Sequence, residues 1–204
     1  MANILVVEDE KIVAADIRST LVSLGYSVPG VVSSGEEAVR RVAELHPDLV
    51  LMDIMLGGQM DGVQAARLMR QRFSVPVVFL TAFADGDSLN RARASEPFGY
   101  IVKPFSEKEL RSTIEIALYK HGVEKHLRER ERWFSTTLRC VGDGVIATDP
   151  LERVTFVNPV AEALSGWRAE EAQGKPIGEI FQLIDQQSGA KTAGPIRSLL
   201  QGQA

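Results

Sequence analysis

Through residues 1–120, short apolar runs alternate with stretches of helical periodicity. Residues 4–7 (ILVV) form a continuous apolar run of the kind that is buried on both faces of a sheet. Val13, Ile17, Leu21 and Leu24 then mark one face of a helix, which Gly25 can close as the residue just past its end. A second strand is predicted over 28–32. Ser34 and Glu37 have capping-box spacing and open the next helix, which His46-Pro47 stops. Residues 49–52 predict a third strand running into Asp53. After the glycine-rich stretch 57–62, a helix is predicted over 63–72, a fourth strand over 75–80, a helix over 88–94 and a short fifth strand over 100–102. Ser106 and Glu109 form a second capping box before a long helix. Five strands alternating with five helices predict an α/β fold with a doubly wound, five-stranded parallel sheet.

From Glu107 to Val141 the pattern is continuously helical, with no proline and one glycine, Gly122. The middle of this segment, EKHLRERERW, is mostly charged, and Val123, Leu127, Phe134, Leu138 and Val141 fall on a broken heptad. A solvated connector is one reading. A short coiled coil fits better, because so polar a helix is poorly stable alone. A homodimer through this linker is therefore expected. Beyond Val141 the pattern changes to strands over 145–149 and 154–157, which read as a hairpin. Asn158-Pro159 has the form of an N-cap followed by proline at the first helical position, and Gly166 can close that short helix. Short helical pieces are predicted over 170–173 and 177–183, with loop-like composition from Asp185 onward.

Charge and composition narrow the function classes. Of 204 residues, 45% are apolar and 25% charged, as in ordinary globular protein, and the formal net charge is −4. Residues 1–121 carry 16 acids against 13 bases, and 122–204 carry 11 against 10. Neither half is basic enough to follow a phosphate backbone, so no direct nucleic-acid partner is expected. The single cysteine, Cys140, leaves no disulfide framework and no CxxC metal site. No apolar run approaches the roughly 20 residues a bilayer needs. Three acids within the first ten residues do not suit a signal peptide, so a cytoplasmic chain without membrane contact is expected.

The chemistry concentrates at one edge. Ligands of doubly wound sheets sit outside the carboxyl ends of the strands. There this sequence places Glu8-Asp9-Glu10, Asp53, Thr81-Ala82 and Lys103-Pro104. Any one acid at a strand end most often caps a helix. Together they gather carboxylates from two strands, a hydroxyl and an ammonium. Oxygen-only donors without His or Cys favour Mg²⁺. A carboxylate beside Mg²⁺, a lysine and a hydroxyl is arranged to accept a phosphoryl group, whose equatorial oxygens need cations and donors.

These stretches, ILVVEDE, LVLMDIML, the DG of GGQMDGVQAARLM, PVVFLTAFAD and FGYIVKPF, resemble the response-regulator receiver domain of two-component signalling. The motif positions Asp9, Asp53, Thr81 and Lys103 are separated by 44, 28 and 22 residues, which also fits. The resemblance spans residues 1–121 and implies a flavodoxin-like fold. It implies that Asp53 is the phosphoacceptor, that Asp9, Asp53 and the backbone carbonyl of Met55 hold Mg²⁺, and that Glu8 lies in the same shell. It further implies that Thr81 binds a phosphoryl oxygen, that Lys103 pairs with the aspartyl carboxylate and then the phosphoryl group, and that Tyr100 is the switch aromatic. The Lys103-Pro104 bond would be cis. Gly57-Gly58-Gln59 departs from the family where many receivers carry a proline.

Residues 107–141 are then the last receiver helix continuing as a coiled-coil linker. DGVIATD, VTFVNPVAEALSGW and AEEAQGKPIGEIF resemble the first half of a PAS domain, so 142–204 read as a partial α+β PAS unit, truncated before its closing strands. No histidine lies beyond His126, Cys140 is outside any flavin-adduct motif, and no PAS cofactor is expected. Trp167 is expected to pack under the helical layer. The expected function is that of a response regulator, phosphorylated by a histidine kinase or phosphotransfer protein and signalling through the linker. No output catalysis is expected in this chain, which has no H-box, ATP-lid glycines or GGDEF-like run. The alternative is the regulatory end of a hybrid histidine kinase or cyclic-dinucleotide enzyme. A haloacid-dehalogenase-type phosphatase would need a second aspartate two residues after the nucleophile, where this chain has Met55.

Overall fold

The computed structural model describes residues 1–82, 97–181, 183–184 and 191–192. The chain divides into two compact units, Met1–His126 and Leu127–Ala204. In the first, β1 (Asn3–Val7), β2 (Ser27–Val32), β3 (Leu49–Asp53), β4 (Val77–Ala82) and β5 (Gly99–Lys103) form one parallel sheet in the order β2-β1-β3-β4-β5. The helices are α1 (Lys11–Ser23), α2 (Gly35–Leu45), α3 (Gly62–Phe73) and α4 (Glu107–Cys140). The helix predicted over 88–94 lies outside the described residues. The predicted doubly wound sheet is present.

Strand pleating sorts the core into two layers. Leu5, Val7, Val50, Met52 and Phe79 pack with Ala38 and Val42 of α2 and Val63, Ala66 and Met69 of α3. Ile4, Val6, Leu49, Leu51, Val78 and Leu80 pack on the other face with Ile17 and Leu21 of α1 and Leu110, Ile114 and Ala117 of α4. Both faces are covered, which is why these strands read as unbroken apolar runs. β4 begins later than predicted and continues through Thr81 and Ala82, pairing Thr81 with Val102 and Ala82 with Lys103. At the sheet's edge, β2 bulges: Asn3 faces Ser27, but Leu5 already faces Gly30, so Val28 and Pro29 together oppose Ile4.

The helix ends follow local chemistry. Gly25, at φ +88°, follows the last turn of α1. Ser34 Oγ accepts a bond from Glu37 N at 3.3 Å, and His46 ends α2 in the left-handed region. At α4, Ser106 N donates to Glu109 Oε2 and Glu109 N to Ser106 Oγ, completing the predicted box. A second complete box, Asp61 with Gln64 at the start of α3, is one the sequence reading does not single out, whereas at α2 only the Ser34 half of the predicted box is formed.

In the second unit, β6 (Ile146–Thr148) and β7 (Val154–Val157) form the expected antiparallel hairpin. β6 is shorter than predicted because Asp149 leaves the strand to build the turn, accepting bonds from Leu151 N and Arg153 N. Three short helices follow: α5 (Pro159–Ser165), α6 (Ala169–Ala172) and α7 (Ile177–Ile180). The last ends before Leu183, which begins β8 (Leu183–Ile184), paired with β9 (Lys191–Thr192) in a stretch expected to be loop-like. Val154, Val157, Ala161, Ala172, Ile177 and Ile180 form this unit's core. Trp167 packs partly against it, with Lys175 Nζ 4.2 Å from its ring centre.

Candidate functional site

At the carboxyl edge of the sheet, four strands deliver side chains to one place. Glu8 follows β1 and is anchored by its N–H bond to Val32 O at 2.9 Å; the residue is only 2% exposed. Asp9, one residue on, is exposed and accepts a bond from Gly57 N at 3.2 Å. Asp53 ends β3 and is buried, and Lys103 ends β5 before a cis bond to Pro104. The ammonium of Lys103 bridges two carboxylates, donating to Glu8 Oε2 at 2.6 Å and to Asp53 Oδ2 at 2.5 Å. The other Asp53 oxygen accepts from Met55 N at 2.9 Å.

Thr81, buried in β4, donates its hydroxyl to the Ala82 carbonyl at 3.1 Å. Tyr100, in β5, is half-buried and stacks on Phe79, with ring centres 6.0 Å apart. Glu8, Asp9, Asp53 and Lys103 are thus in one cluster, with Met55 bonded to it through its N–H. Thr81 and Tyr100 stand on the neighbouring strands.

One oxygen each from Glu8, Asp9 and Asp53 lies within 4.8 Å of the others. Two carboxylates at that separation repel by roughly 3 kcal/mol at an effective dielectric of about 20. Lys103 offsets part of this but leaves the cluster with an excess of two negative charges. Burial raises the Glu8 carboxyl above its ordinary range, the Asp53 charge adds to the rise, and the Lys103 bond opposes both. For Lys103, burial works against the ammonium, but the bonds from Asp53 and Glu8 outweigh it and raise the group. The ammonium is therefore held in its charged form at neutral pH. A set of hard oxygen donors with surplus negative charge fits a divalent cation of the Mg²⁺ type.

Gly62 is a positional requirement that the sequence pattern suggested only as a turn. A Cβ there would come within 2.0 Å of the Asp53 carbonyl oxygen, so α3 can start this close to the end of β3 only with glycine. Asp61, just before it, caps the helix through Gln64 N at 2.8 Å. The signal in the sequence was the Asp-Gly pair followed by a glutamine at capping-box distance.

The family model of the response regulator receiver domain matches residues 4–115, and that of the PAS fold matches 130–203. The transcriptional regulatory protein PdtaR of Mycobacterium tuberculosis is 40% identical over 116 residues, which is 56% of this chain and 56% of PdtaR. This chain spans about half the length of that relative. Among solved structures, the signal receiver domain of a modulated diguanylate cyclase from Desulfovibrio desulfuricans G20 is 42% identical. It superposes with a TM-score of 0.59 over 61% of this chain and 98% of its own. The receiver domain of a sensor histidine kinase from Pseudomonas aeruginosa PAO1, with a magnesium ion coordinated in its active-site cleft, is 32% identical. Its TM-score is 0.53, over 57% of this chain and 97% of its own.

Proposed function

Because the chain belongs to the response regulator receiver domain family, we propose that its acidic edge accepts a phosphoryl group on Asp53. The observation that carries this reading is the Lys103 ammonium held between Glu8 and Asp53 at the ends of three strands. In the proposed reaction, an Asp53 oxygen attacks the phosphorus of a phosphohistidine on a histidine kinase or phosphotransfer protein. The O–P bond forms, the P–N bond breaks, and the released imidazole nitrogen takes a proton from water.

Asp9, Asp53 and the Met55 carbonyl would hold Mg²⁺, with Glu8 beside them. When bound, the cation supplies the charge that lets a carboxylate meet a dianionic phosphoryl group. Lys103 exchanges its Asp53 contact for a phosphoryl oxygen. The Thr81 hydroxyl gives up the Ala82 carbonyl for another oxygen, and Tyr100 moves into the space it leaves. Intact mass after incubation with acetyl phosphate and Mg²⁺ should show one added phosphoryl group, absent in Asp53→Asn. Equal labelling of that variant would overturn the assignment.

The output is proposed to pass along α4 to the PAS unit, in the cytoplasm, with no catalysis in this chain and no direct contact with nucleic acid. Among the described residues, no helix is long and apolar enough to cross a membrane. The likeness to a diguanylate cyclase receiver favours, as a second reading, the regulatory end of a larger enzyme. A homodimer through α4 is proposed on its exposed apolar positions. Val123, Leu127 and Phe134 are 51%, 57% and 59% exposed, and Trp133 is 70% exposed. Leu138 and Val141 are half-buried and form a poorer contact stripe than the spacing predicted. Leu127→Glu with Phe134→Glu should halve the mass seen by light scattering from about twice 22.3 kDa. A wild-type monomer at micromolar concentration would remove the dimer.

A further inference from the structure

Asn158 was read from the sequence as an N-cap, and it is one: its Oδ1 accepts from Ala161 N at 2.9 Å. The same oxygen also accepts from Val145 N at 2.8 Å, at the entry to β6. Its Nδ2 faces three carbonyls, those of Asp143 at 2.8 Å, Leu138 at 3.2 Å and Val141 at 3.5 Å. The residue is 0% exposed. Its backbone completes the knot, donating to Val145 O and accepting from Glu162 N, both at 3.0 Å. One side chain therefore joins the end of α4, the start of the hairpin and the start of α5.

A primary amide has two protons. Asp143, the shortest partner, takes one, and Leu138 and Val141 compete for the other. These two differ in kind. Leu138 lies within the last turn of α4, whose carbonyls have no partner inside the helix. Val141 lies one residue past the helix and three residues beyond Leu138. A buried amide proton left without an acceptor is costly, so the proton follows whichever carbonyl the helix end presents.

We propose that Asn158 is a two-position clasp that couples the length of the α4 helix to the fold of the second unit. With α4 wound to its end, the amide holds Leu138. With the last turn released, it holds Val141. Both settings satisfy the proton, so the helix end can change without opening the core. The amide moves as it changes partner, and its oxygen carries that movement to Val145 and Ala161. Because the coupling is an equilibrium property, it runs in both directions. Asn158 acts here as a positioning residue, and its role does not depend on phosphorylation of Asp53.

Two variants of the full chain test this, one at each end of the clasp, with amide hydrogen exchange as the readout. Arg139→Gly alters an exposed residue in the last turn of α4 and should speed exchange at residues 138–141 about fivefold. The clasp requires exchange at Val145 and Ala161 to rise with it by a similar factor. Asn158→Asp keeps the acceptor for both amides, loses both donors and sets a charge against three carbonyls. It should speed exchange at residues 138–141 about tenfold and leave Arg139→Gly without further effect on Val145 and Ala161. A simple N-cap would answer only within α5. Unchanged exchange at Val145 and Ala161 in Arg139→Gly, or at residues 138–141 in Asn158→Asp, would overturn the proposal, and either variant decides it should the other not fold.

Discussion

Among the described residues of the first unit, β1, β3 and β4 are buried on both faces between α1–α4, and Glu8, Asp53 and Lys103 gather at one edge of the sheet. Among the described residues of the second, a two-stranded hairpin and three helices of four to seven residues share a core of six buried side chains. The first unit can hold three carboxylates and an ammonium together because a large apolar core supports them. The described part of the second organises itself around a neutral polar group, Asn158, whose hydrogen bonds join three of its elements. A charge cluster can be switched by adding charge, whereas an amide clasp can be switched only by moving its partners.

The sharpest way to break this comparison is to damage one core and watch the other. Phe79→Ala removes a wholly buried ring from the first unit and should cost about 3–5 kcal/mol. Val157→Ala in the second removes two methyl groups and should cost about 1–2 kcal/mol. Both tryptophans, Trp133 and Trp167, lie in the second unit. Urea unfolding followed by tryptophan fluorescence therefore reports that unit, while far-ultraviolet circular dichroism is weighted to the first. Phe79→Ala should shift the dichroism transition and leave the fluorescence transition in place. A common shift would show the two units unfolding as one.

Next in size is the charge cluster. Lys103→Met strands Glu8 and Asp53 and should destabilise the metal-free chain by about 2–3 kcal/mol, below a fully buried pair because the lysine side chain is 21% exposed. Its pH dependence has a definite sign. The raised Lys103 group contributes stability that is present below 10.5 and lost as pH rises through its higher folded value. Glu8, raised above 4.5, binds its proton more readily folded than unfolded, so stability falls as pH rises between the two values. Without Lys103 the Glu8 carboxyl rises further. The variant should regain stability on acidification from neutral pH more steeply than wild type in denaturant titrations with chelator present. Parallel curves would show that Lys103 does not govern Glu8.

The smallest effect is at the α4 cap. Bonds from Ser106 N–H and then its hydroxyl hold the Glu109 carboxyl below its usual range. The cap's contribution is thus present above 4.5 and lost as pH falls through the lower folded value. Glu109→Gln keeps a capping-box acceptor but does not titrate. Exchange in the first turn of α4 should accelerate with acid in wild type, relative to the intrinsic rate, and stay level in the variant.

What could be read from the sequence follows the same division. Ile4, Val6, Leu49 and Leu51 fill the layer on one face of the sheet and Leu5, Val7, Val50 and Met52 the layer on the other, and strands buried on both faces announce themselves as apolar runs. The acids and Lys103 stood out because each falls at the end of a run. Gly62 was legible only as part of a turn, since its necessity comes from the close approach of the Asp53 carbonyl nine residues earlier, a contact between backbones that no side-chain pattern encodes. β8 and β9 were missed because two residues carry no period. Asn158 showed its cap and hid its clasp, because Leu138, Val141 and Asp143 contribute only backbone oxygens, which no side-chain pattern encodes.

The bulge in β2 has a consequence for what can be added to the sheet at that edge. A parallel sheet with an open border invites a foreign strand to add there, and unchecked addition of that kind leads to fibres. Along this border, Pro29 has no N–H to offer, and the extra residue at Val28 and Pro29 throws the remaining donors and acceptors out of step. A strand laid against β2 would find its ladder interrupted midway. The β2 border thus resists recruitment of a further strand, and the chain's own bulge, not a covering partner, supplies the obstacle.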